Sequence, residues 1–389
     1  MATIHWISRL LIAFLIALAL AAQVPVIAAS TDSELGPNEV KVGKEAADEV
    51  KKEYKLSDNA ADLKRVREIG NKLAAVANKK MIDAMYGSSK VTPFEYTFDI
   101  IEDKDVNAFC VPGGHVYVYR GLLNFVQSDQ ELAGVIAHEV THAAHHHMVY
   151  LLKKQAALQN EMAVALLATM LSGAKGSDID NVLLGTQLYT IAKSNGYGMQ
   201  AERDADNSAV LLDVEAGYNP VGLLTFLERL AQQPELVDYG IYRSHPLDED
   251  RVKAAKAAIE KLGLPINRRA TTKSISAIVK TEKIDGVDQP EVSLADKVIY
   301  RPAPADGKTA QDRAQEVATA INNMLDSGLM ISQLRADTAN GAVIARDKAV
   351  MIVSDADAKL MNETPGQVAQ AAAAIIRNVI LMQMVDTVH

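Results

Sequence analysis

The sequence predicts an α+β protein that is mostly helical around a small sheet and that ends in a second, small α+β domain. Three observations predict this organisation. Apolar residues recur at helical spacing through residues 31–90, strand-like runs follow at Tyr96–Ile101 and His115–Tyr119, and short strand and helix patterns alternate beyond residue 295. A chain of 389 residues is long enough for two domains with separate cores.

The N-terminus predicts an export signal. Arg9 precedes Leu10–Ala22, a run without a polar side chain, and the small residues Ala28–Ser30 follow. This order is typical of a secretory signal peptide, and the run is shorter than the roughly 20 residues that span a bilayer as a helix. We therefore expect residues 1–29 to be a signal peptide and the mature chain to be periplasmic. The alternative is an uncleaved segment that anchors the chain to the inner membrane.

The rest of the chain is predicted to contain two domains and a linker. We place the first domain at residues 30–265, a linker at 266–294 and a C-terminal α+β domain of unknown role at 295–389. The linker is predicted because Asn267–Ser293 is polar and poor in strand signals. In the C-terminal domain, we expect strands at Val298–Tyr300, Val343–Ala345 and Val350–Val353, and helices at Thr309–Leu325 and Pro365–Met382.

Charge and cysteine content exclude some classes of protein. The formal net charge of -9 argues against nucleic acid or anionic lipid as the main partner, since phosphate binding requires clustered Lys and Arg. Cys110 is the only cysteine, so the chain cannot form an internal disulfide. We expect Cys110 to be a small buried residue.

A helix that begins at Ser128 carries an H-E-x-x-H sequence. Ser128 can cap the helix, and Glu131 three residues later predicts a capping box. The spacing of His138 and His142 puts both imidazoles one turn apart on the same face, where they can bind one metal ion. Glu139 lies next to that face and can take a proton from water that zinc has activated.

A third metal ligand is expected downstream, because catalytic zinc sites use three protein ligands and one open position. The best candidate is Glu202, in a helix predicted over Gln200–Val214. Asp206 lies four residues later on the same face and can hydrogen-bond a ligand imidazole. The spacing alone leaves a second interpretation open, a solvated acidic helix paired with Arg203.

Several spaced motifs together resemble the zinc metallopeptidase family of the CAAX prenyl protease, HtpX and BepA. The matching segments are Asn107–Gly114, Arg120–Leu123, His138–His142, Glu202–Asp206, and Ser244–Pro246 with Arg251. The resemblance covers about residues 38–260, and Cys110 is most similar to the mitochondrial overlapping-activity protease branch. It implies a gluzincin-type metalloprotease domain. The membrane helices of the prenyl protease and HtpX have no counterpart in the sequence, so we expect a soluble exported member.

The resemblance also implies roles for individual residues. It implies one Zn²⁺ per chain held by His138, His142 and Glu202, with Glu139 as the catalytic acid/base. The residues around His245 by themselves indicate a turn before Pro246. In the family this His lies near the zinc, which implies that it either fills the open coordination position at rest or stabilises the oxyanion.

The sequence departs from the family pattern at two places. His145–His147 stands where the family has Arg before the His that ends the active helix, and Gly198–Met199 stands where the family often has Ser-Arg. We interpret the three histidines as a solvated helix end, with a second metal site as the alternative.

The segment before the active helix suggests how substrate could bind. We expect His115–Tyr119 to be an edge strand, to which an extended peptide adds along Gly113, Gly114, His115, Val116 and Tyr117. The two glycines would permit close approach of another backbone. The alternative is an ordinary hairpin strand without a substrate role.

These features together predict a zinc-dependent endopeptidase. Its expected substrates are periplasmic or membrane-associated proteins of the envelope, in protein quality control, and it is expected to associate with envelope membrane proteins. The alternative function is a chaperone-like binding module that retains a rarely active protease fold. An intact Glu139 favours the enzyme, since a binding module has no need of the base.

Overall fold

The computed structural model describes residues 35–172, 186–192, 197–231, 249–273, 275–284, 286–327 and 329–384. They form two compact units, one within residues 1–126 and 132–258 and the other within 127–131 and 259–389. Helices dominate both units beside small sheets, which confirms the predicted α+β class. Across the described ranges, no helix combines the length and the apolar character needed to cross a bilayer. The expected signal peptide lies outside the described residues.

The first unit is mainly helical. Its helices lie, wholly or for most of their length, at α1 (Leu35–Glu53), α2 (Ala60–Ala77), α3 (Arg120–Phe125), α4 (Asp129–Ala144), α5 (His147–Ala157), α6 (Glu161–Ser172), α7 (Met199–Ala216), α8 (Val221–Ala231) and α9 (Glu249–Lys261). The helix predicted over Gln200–Val214 is confirmed as α7, to within two residues at each end. Asn219 caps α8, because its side chain accepts a hydrogen bond of 3.0 Å from the N–H of Val221.

The start of α4 follows the predicted capping chemistry in part. The hydroxyl of Ser128 accepts a hydrogen bond of 3.1 Å from the N–H of Glu131. The carboxylate of Glu131 accepts a bond of 2.7 Å from the N–H of Gln127, one residue before the cap. These bonds satisfy donors at the helix start and fix where the helix carrying His138 and His142 begins.

A three-stranded sheet lies beside these helices, with β1 (Thr97–Ile101), β2 (Ala108–Val111) and β3 (His115–Tyr119) in the order β1-β3-β2. The positions of β1 and β3 were predicted correctly, but the prediction that His115–Tyr119 is an edge strand was wrong. β3 is central, parallel to β1 and antiparallel to β2. A strand pattern in a sequence indicates where a strand lies but not which strands it pairs with. The parallel partner of β3 is β1, and β2 lies between them in the chain.

A substrate therefore cannot add as a strand along Gly113, Gly114, His115, Val116 and Tyr117, because β3 is already paired on both sides. The close approach expected at Gly113 does occur, but it involves the chain's own helix α1. A Cβ on Gly113 would lie 3.0 Å from the Cα of Val40, and one on Gly43 would lie 1.7 Å from the carbonyl oxygen of Pro112. Glycine at these positions allows α1 to pack directly on the turn before β3.

The described part of the second unit has two antiparallel sheets, two long helices and one short helix. Its elements are β4 (Ile278–Ile284), β5 (Val287–Leu294), β6 (Lys297–Tyr300), α10 (Ala310–Asp326), β7 (Leu334–Asp337), β8 (Ala342–Ala345), β9 (Lys348–Ile352), α11 (Asp355–Leu360) and α12 (Pro365–Met384). The strands are ordered β4-β5-β6 and β7-β8-β9. Buried residues such as Ile321 of α10, Val343 of β8 and Ile376 of α12 form one core. The strands and helices predicted for this region are confirmed.

The prediction that Asn267–Ser293 is poor in strands was wrong. This segment contains β4 and most of β5, which pair with each other in antiparallel register. Most residues of β4 are exposed, so the strand lacks the apolar alternation by which strands are recognised in a sequence. Pairing of its backbone with β5 stabilises it instead.

A buried ion pair connects α10 and α11 in the second unit. The two terminal nitrogens of the Arg313 guanidinium each donate to one carboxylate oxygen of Asp357, both at 2.7 Å. The hydroxyl of Tyr300 lies 3.1 Å from the same carboxylate, and Asp357 is fully buried. Burial alone would raise the pKa of Asp357, but the hydrogen bonds from Arg313 and from the backbone outweigh it and lower this pKa.

We predict that Asp357→Ala lowers the free energy of unfolding of the second unit by about 3 kcal/mol, because it leaves the Arg313 cation without its partner. The stabilisation is complete above the unfolded-state pKa of about 3.9 and is lost as the pH falls through the lower folded-state pKa. Hydrogen exchange in β8 of the full chain measures the effect. Asp355→Ala, at an exposed position of the same helix, is the control and should change the free energy by less than about 0.5 kcal/mol. Equal exchange in the two variants would contradict the prediction.

Candidate metal centre

Helices α4 and α7 bring together the three predicted metal ligands, all of them buried. The Nε2 atoms of His138 and His142 are 3.0 Å apart. The carboxylate oxygens of Glu202 lie 3.3 Å from Nε2 of His138 and 3.5 Å from Nε2 of His142. A tetrahedral zinc ion with bonds of about 2.0–2.1 Å holds its ligand atoms about 3.3 Å apart. The side chains present therefore fit one zinc ion.

The electrostatics of this cluster favour a cation. Burial opposes protonation of His138, but the carboxylates of Asp206 and Glu202 outweigh it and raise the pKa of this imidazole to about 10. Two Nε2 lone pairs 3.0 Å apart would repel each other unless a proton or a metal ion lies between them. A metal ion bound by His138 and His142 would take the place of this proton, as expected of histidine ligands.

Asp206 supports the first histidine in the predicted way. Its Oδ1 lies 2.9 Å from Nδ1 of His138, which leaves Nε2 of that ring for the metal. Arg251 donates to Asp206 at 2.7 and 2.8 Å and lies 3.0 Å from a carboxylate oxygen of Glu202. The alternative of a solvated acidic helix is wrong, because Glu202 and Asp206 are fully buried. Arg203, its expected partner, is exposed and pairs with Asp250 at 3.4 Å.

Glu139 is buried beside His138, as the H-E-x-x-H spacing predicts. It borders a small pocket together with Arg251 and apolar side chains of α4 and α8. These apolar lining residues are Val135, Leu223, Phe226, Leu227 and Leu230. The carboxylate of Glu139 is therefore held in a largely apolar environment next to the metal ligands.

Tyr197 covers one face of the second histidine. Its ring stacks on His142 with the ring centroids 4.0 Å apart, and its hydroxyl donates a hydrogen bond of 3.0 Å to the carbonyl oxygen of Cys110. Cys110 is buried, as predicted, and burial raises the pKa of its thiol well above the ordinary value. A protonated thiol is a poor nucleophile, so Cys110 has a packing role.

The three histidines after the active helix are all buried, so their interpretation as a solvated helix end was wrong. His145 and His147 both contact the carboxylate of Asp204, at 2.6 and 3.0 Å. His146 contacts the buried carboxylate of Glu39. Each histidine thus has an acidic partner that is distant in the sequence, on α1 or α7, and spacing along the chain could not indicate those pairs.

Other parts of the site were missed by the sequence analysis or lie outside the structure. Asp204 and Tyr197 carry no spacing signal, because Asp204 occupies the side of α7 away from Glu202 and Tyr197 precedes the helix. Arg251 was singled out by its motif alone, and its contacts with Glu202 and Asp206 emerge only in the fold. His245 lies outside the described residues, so its predicted position near the metal remains a prediction.

Comparison with known families places two matches on the chain. The model of peptidase family M48 matches residues 64–259, about half of the 389 residues. A domain of unknown function, DUF8459, matches residues 290–383. The first match contains all the residues that form the candidate metal centre.

Proteins similar to this chain include two metalloproteases and a protease whose name refers to the assembly of beta-barrels. The beta-barrel assembly-enhancing protease of Yersinia pestis is 28% identical over 49% of this chain and 37% of its own length. A mitochondrial metalloendopeptidase of Arabidopsis thaliana is 30% identical over 62% of this chain and 47% of its own length. The metalloprotease LoiP of Escherichia coli is 30% identical over 48% of this chain and 69% of its own length. The chain thus spans little more than a third of the Yersinia protein.

We predict that His142→Ala and Glu202→Ala each abolish stoichiometric zinc binding, because each removes one of three ligands. Metal analysis of the purified proteins measures the effect. His115→Ala is the matched control, since His115 lies on β3 and pairs with Thr97 at 2.9 Å. Stoichiometric zinc in Glu202→Ala would contradict the ligand set.

Proposed function

Because this chain belongs to peptidase family M48, as the resemblance predicted, we propose that it is an endopeptidase that uses one zinc ion per chain to hydrolyse peptide bonds in proteins. Membership of the family supports metalloprotease activity, and hydrolysis of proteins is part of the proposal. The proposal of a zinc-dependent endopeptidase rests mainly on one observation. His138, His142 and Glu202 converge within zinc-binding distances, and Glu139 is buried beside them.

The proposed mechanism assigns proton transfer to Glu139. When bound, zinc supplies a Lewis acid that lowers the pKa of water and polarises the scissile carbonyl. The carboxylate of Glu139 takes the proton of the attacking water and delivers it to the nitrogen of the leaving amine. The apolar side chains around Glu139 limit its solvation and strengthen its interaction with the reacting groups. Arg251 and Asp206 hold the ligands Glu202 and His138 in position.

We predict that Glu139→Gln retains zinc and loses casein-cleaving activity by about 10²- to 10⁴-fold, because Gln cannot accept the proton. Rates normalised to bound zinc measure the effect. Glu215→Gln, the same change at an exposed position of α7, is the control and should leave the rate unchanged.

Two outcomes would change this assignment. Undiminished cleavage by zinc-loaded Glu139→Gln would remove Glu139 from the mechanism. A wild-type chain that binds zinc yet does not cleave unfolded protein would favour the alternative, a chaperone-like binding module on a protease fold.

We further propose that the protein acts in the bacterial envelope, on periplasmic or membrane-associated proteins in quality control. Two observations support this proposal. Residues 1–29 have the charge, apolar run and small residues of a signal peptide. One group of relatives carries the name beta-barrel assembly-enhancing protease. Association with envelope membrane proteins is part of the same proposal.

We also propose that His245 acts at the zinc site, and the supporting observation is the match of Ser244–Pro246 and Arg251 to the family motif. If His245 fills the open coordination position at rest, His245→Ala should raise the basal rate of casein cleavage. If it stabilises the oxyanion, the same change should lower the rate by about a hundredfold. Rates per bound zinc distinguish the two roles. An unchanged rate would assign His245 to the turn before Pro246.

A further inference from the structure

The second histidine ligand has a histidine as its partner. Nδ1 of His142 lies 2.8 Å from Nδ1 of His147, and His147 is fully buried. The other ring nitrogen of His147, Nε2, lies 3.0 Å from both the carboxylate of Asp204 and the carbonyl oxygen of Tyr86. A continuous chain of contacts therefore runs from His142 through His147 to Asp204.

The donor and the acceptor of each hydrogen bond follow from the two groups that contact His147, the carboxylate of Asp204 and the carbonyl of Tyr86. A backbone carbonyl and a carboxylate can only accept, so Nε2 of His147 must carry a proton and donate to Tyr86 and Asp204. In a neutral imidazole, Nδ1 of His147 is then an acceptor, and Nδ1 of His142 donates to it. This arrangement leaves Nε2 of His142 with a lone pair, directed at Nε2 of His138 and at Glu202.

The distances around Asp204 distinguish this chain from a second metal site. Nδ1 of His145 approaches a carboxylate oxygen of Asp204 at 2.6 Å, which is a hydrogen-bond distance. Ligand atoms around a tetrahedral zinc ion stand about 3.3 Å apart, so the contact of His145 with Asp204 is too short for two ligands of one ion. The other oxygen of Asp204 accepts from the N–H groups of Met85 and Tyr86 at 2.5 and 3.3 Å. The carboxylate is thus engaged as a hydrogen-bond acceptor on both oxygens.

We propose that His147 is a positioning residue that, held by Asp204 and the carbonyl of Tyr86, orients the ring of His142 for metal binding. The proposal rests on the zinc site proposed above. His147 does for the second ligand what Asp206 does for the first, but through an imidazole instead of a carboxylate. Outer partners of this kind fix the tautomer and the orientation of a ligand histidine.

The fold supplies the constraints that this role requires. His146, between α4 and α5, adopts a left-handed conformation with φ of 57°, and the chain turns there so that His147 faces back towards α4. The ring of His142 is held on its face by Tyr197 and at its Nδ1 edge by His147. The ring can therefore not rotate without losing a buried hydrogen bond.

The test compares zinc affinity in variants of the full chain by competition with a chelator. His147→Leu should bind zinc about 10- to 100-fold more weakly than wild type and should alter the visible spectrum of the Co²⁺-substituted protein. His147→Asn should restore affinity to within a few fold, because the amide oxygen of Asn can accept from Nδ1 of His142. His145→Leu is the matched control, since His145 shares Asp204 but its contacts leave His142 untouched.

The outcomes separate a positioning role from a structural one. His145→Leu and His147→Leu should lower the melting temperature of the metal-free chain to similar extents, while only His147→Leu changes zinc affinity and the Co²⁺ spectrum. Unchanged affinity in His147→Leu, or equal weakening in His145→Leu, would overturn the proposal and leave the zinc peptidase intact. Two zinc ions per wild-type chain would also overturn it, because His147 would then be a ligand. A wild-type chain without zinc would overturn the proposed function and this role together.

Discussion

Three buried carboxylates on helix α7 impose the constraint on which the first unit depends. Glu202, Asp204 and Asp206 expose no surface, although they lie within five consecutive residues. An ionised carboxylate in a protein interior costs several kcal/mol unless it is paired. The partners are the imidazoles of His138, His142, His145 and His147, the guanidinium of Arg251, and the backbone N–H groups of Met85 and Tyr86. Separation of α7 from α4 would remove the histidine partners of Glu202 and Asp206, so the pairing of these buried groups holds the two helices together.

This pairing positions the side chains of the proposed metal site in the absence of a metal ion. Glu202 faces the two proposed ligand histidines. Asp206 contacts Nδ1 of His138 directly, and Asp204 holds Nδ1 of His142 through His147. Both Nε2 atoms then point at Glu202. A site that is organised in this way loses little conformational entropy on binding, which favours high affinity and a fixed coordination geometry.

The sheet limits where a substrate can bind. β3 is paired on both sides, and the glycines of the turn before it accommodate α1 of the same chain. The outer strand β2 is buried, and the carbonyl of Cys110 on it accepts a hydrogen bond from Tyr197, which also stacks on His142. A small, largely apolar pocket lies beside Glu139, the proposed base.

The sequence by itself determined the features that depend on local spacing. The four-residue interval of His138 and His142, the cap at Ser128, and most helices and strands follow from periodicity and from side-chain chemistry within a few residues. The sequence offered Glu202 as a ligand only with the help of a family pattern, because a carboxylate 60 residues away carries no distance information. Tertiary structure alone decided the order of the strands, the burial of His145–His147 and the contacts of Asp204 and Arg251. Those features depend on which helices pack together, and packing joins residues whose separation along the chain is arbitrary.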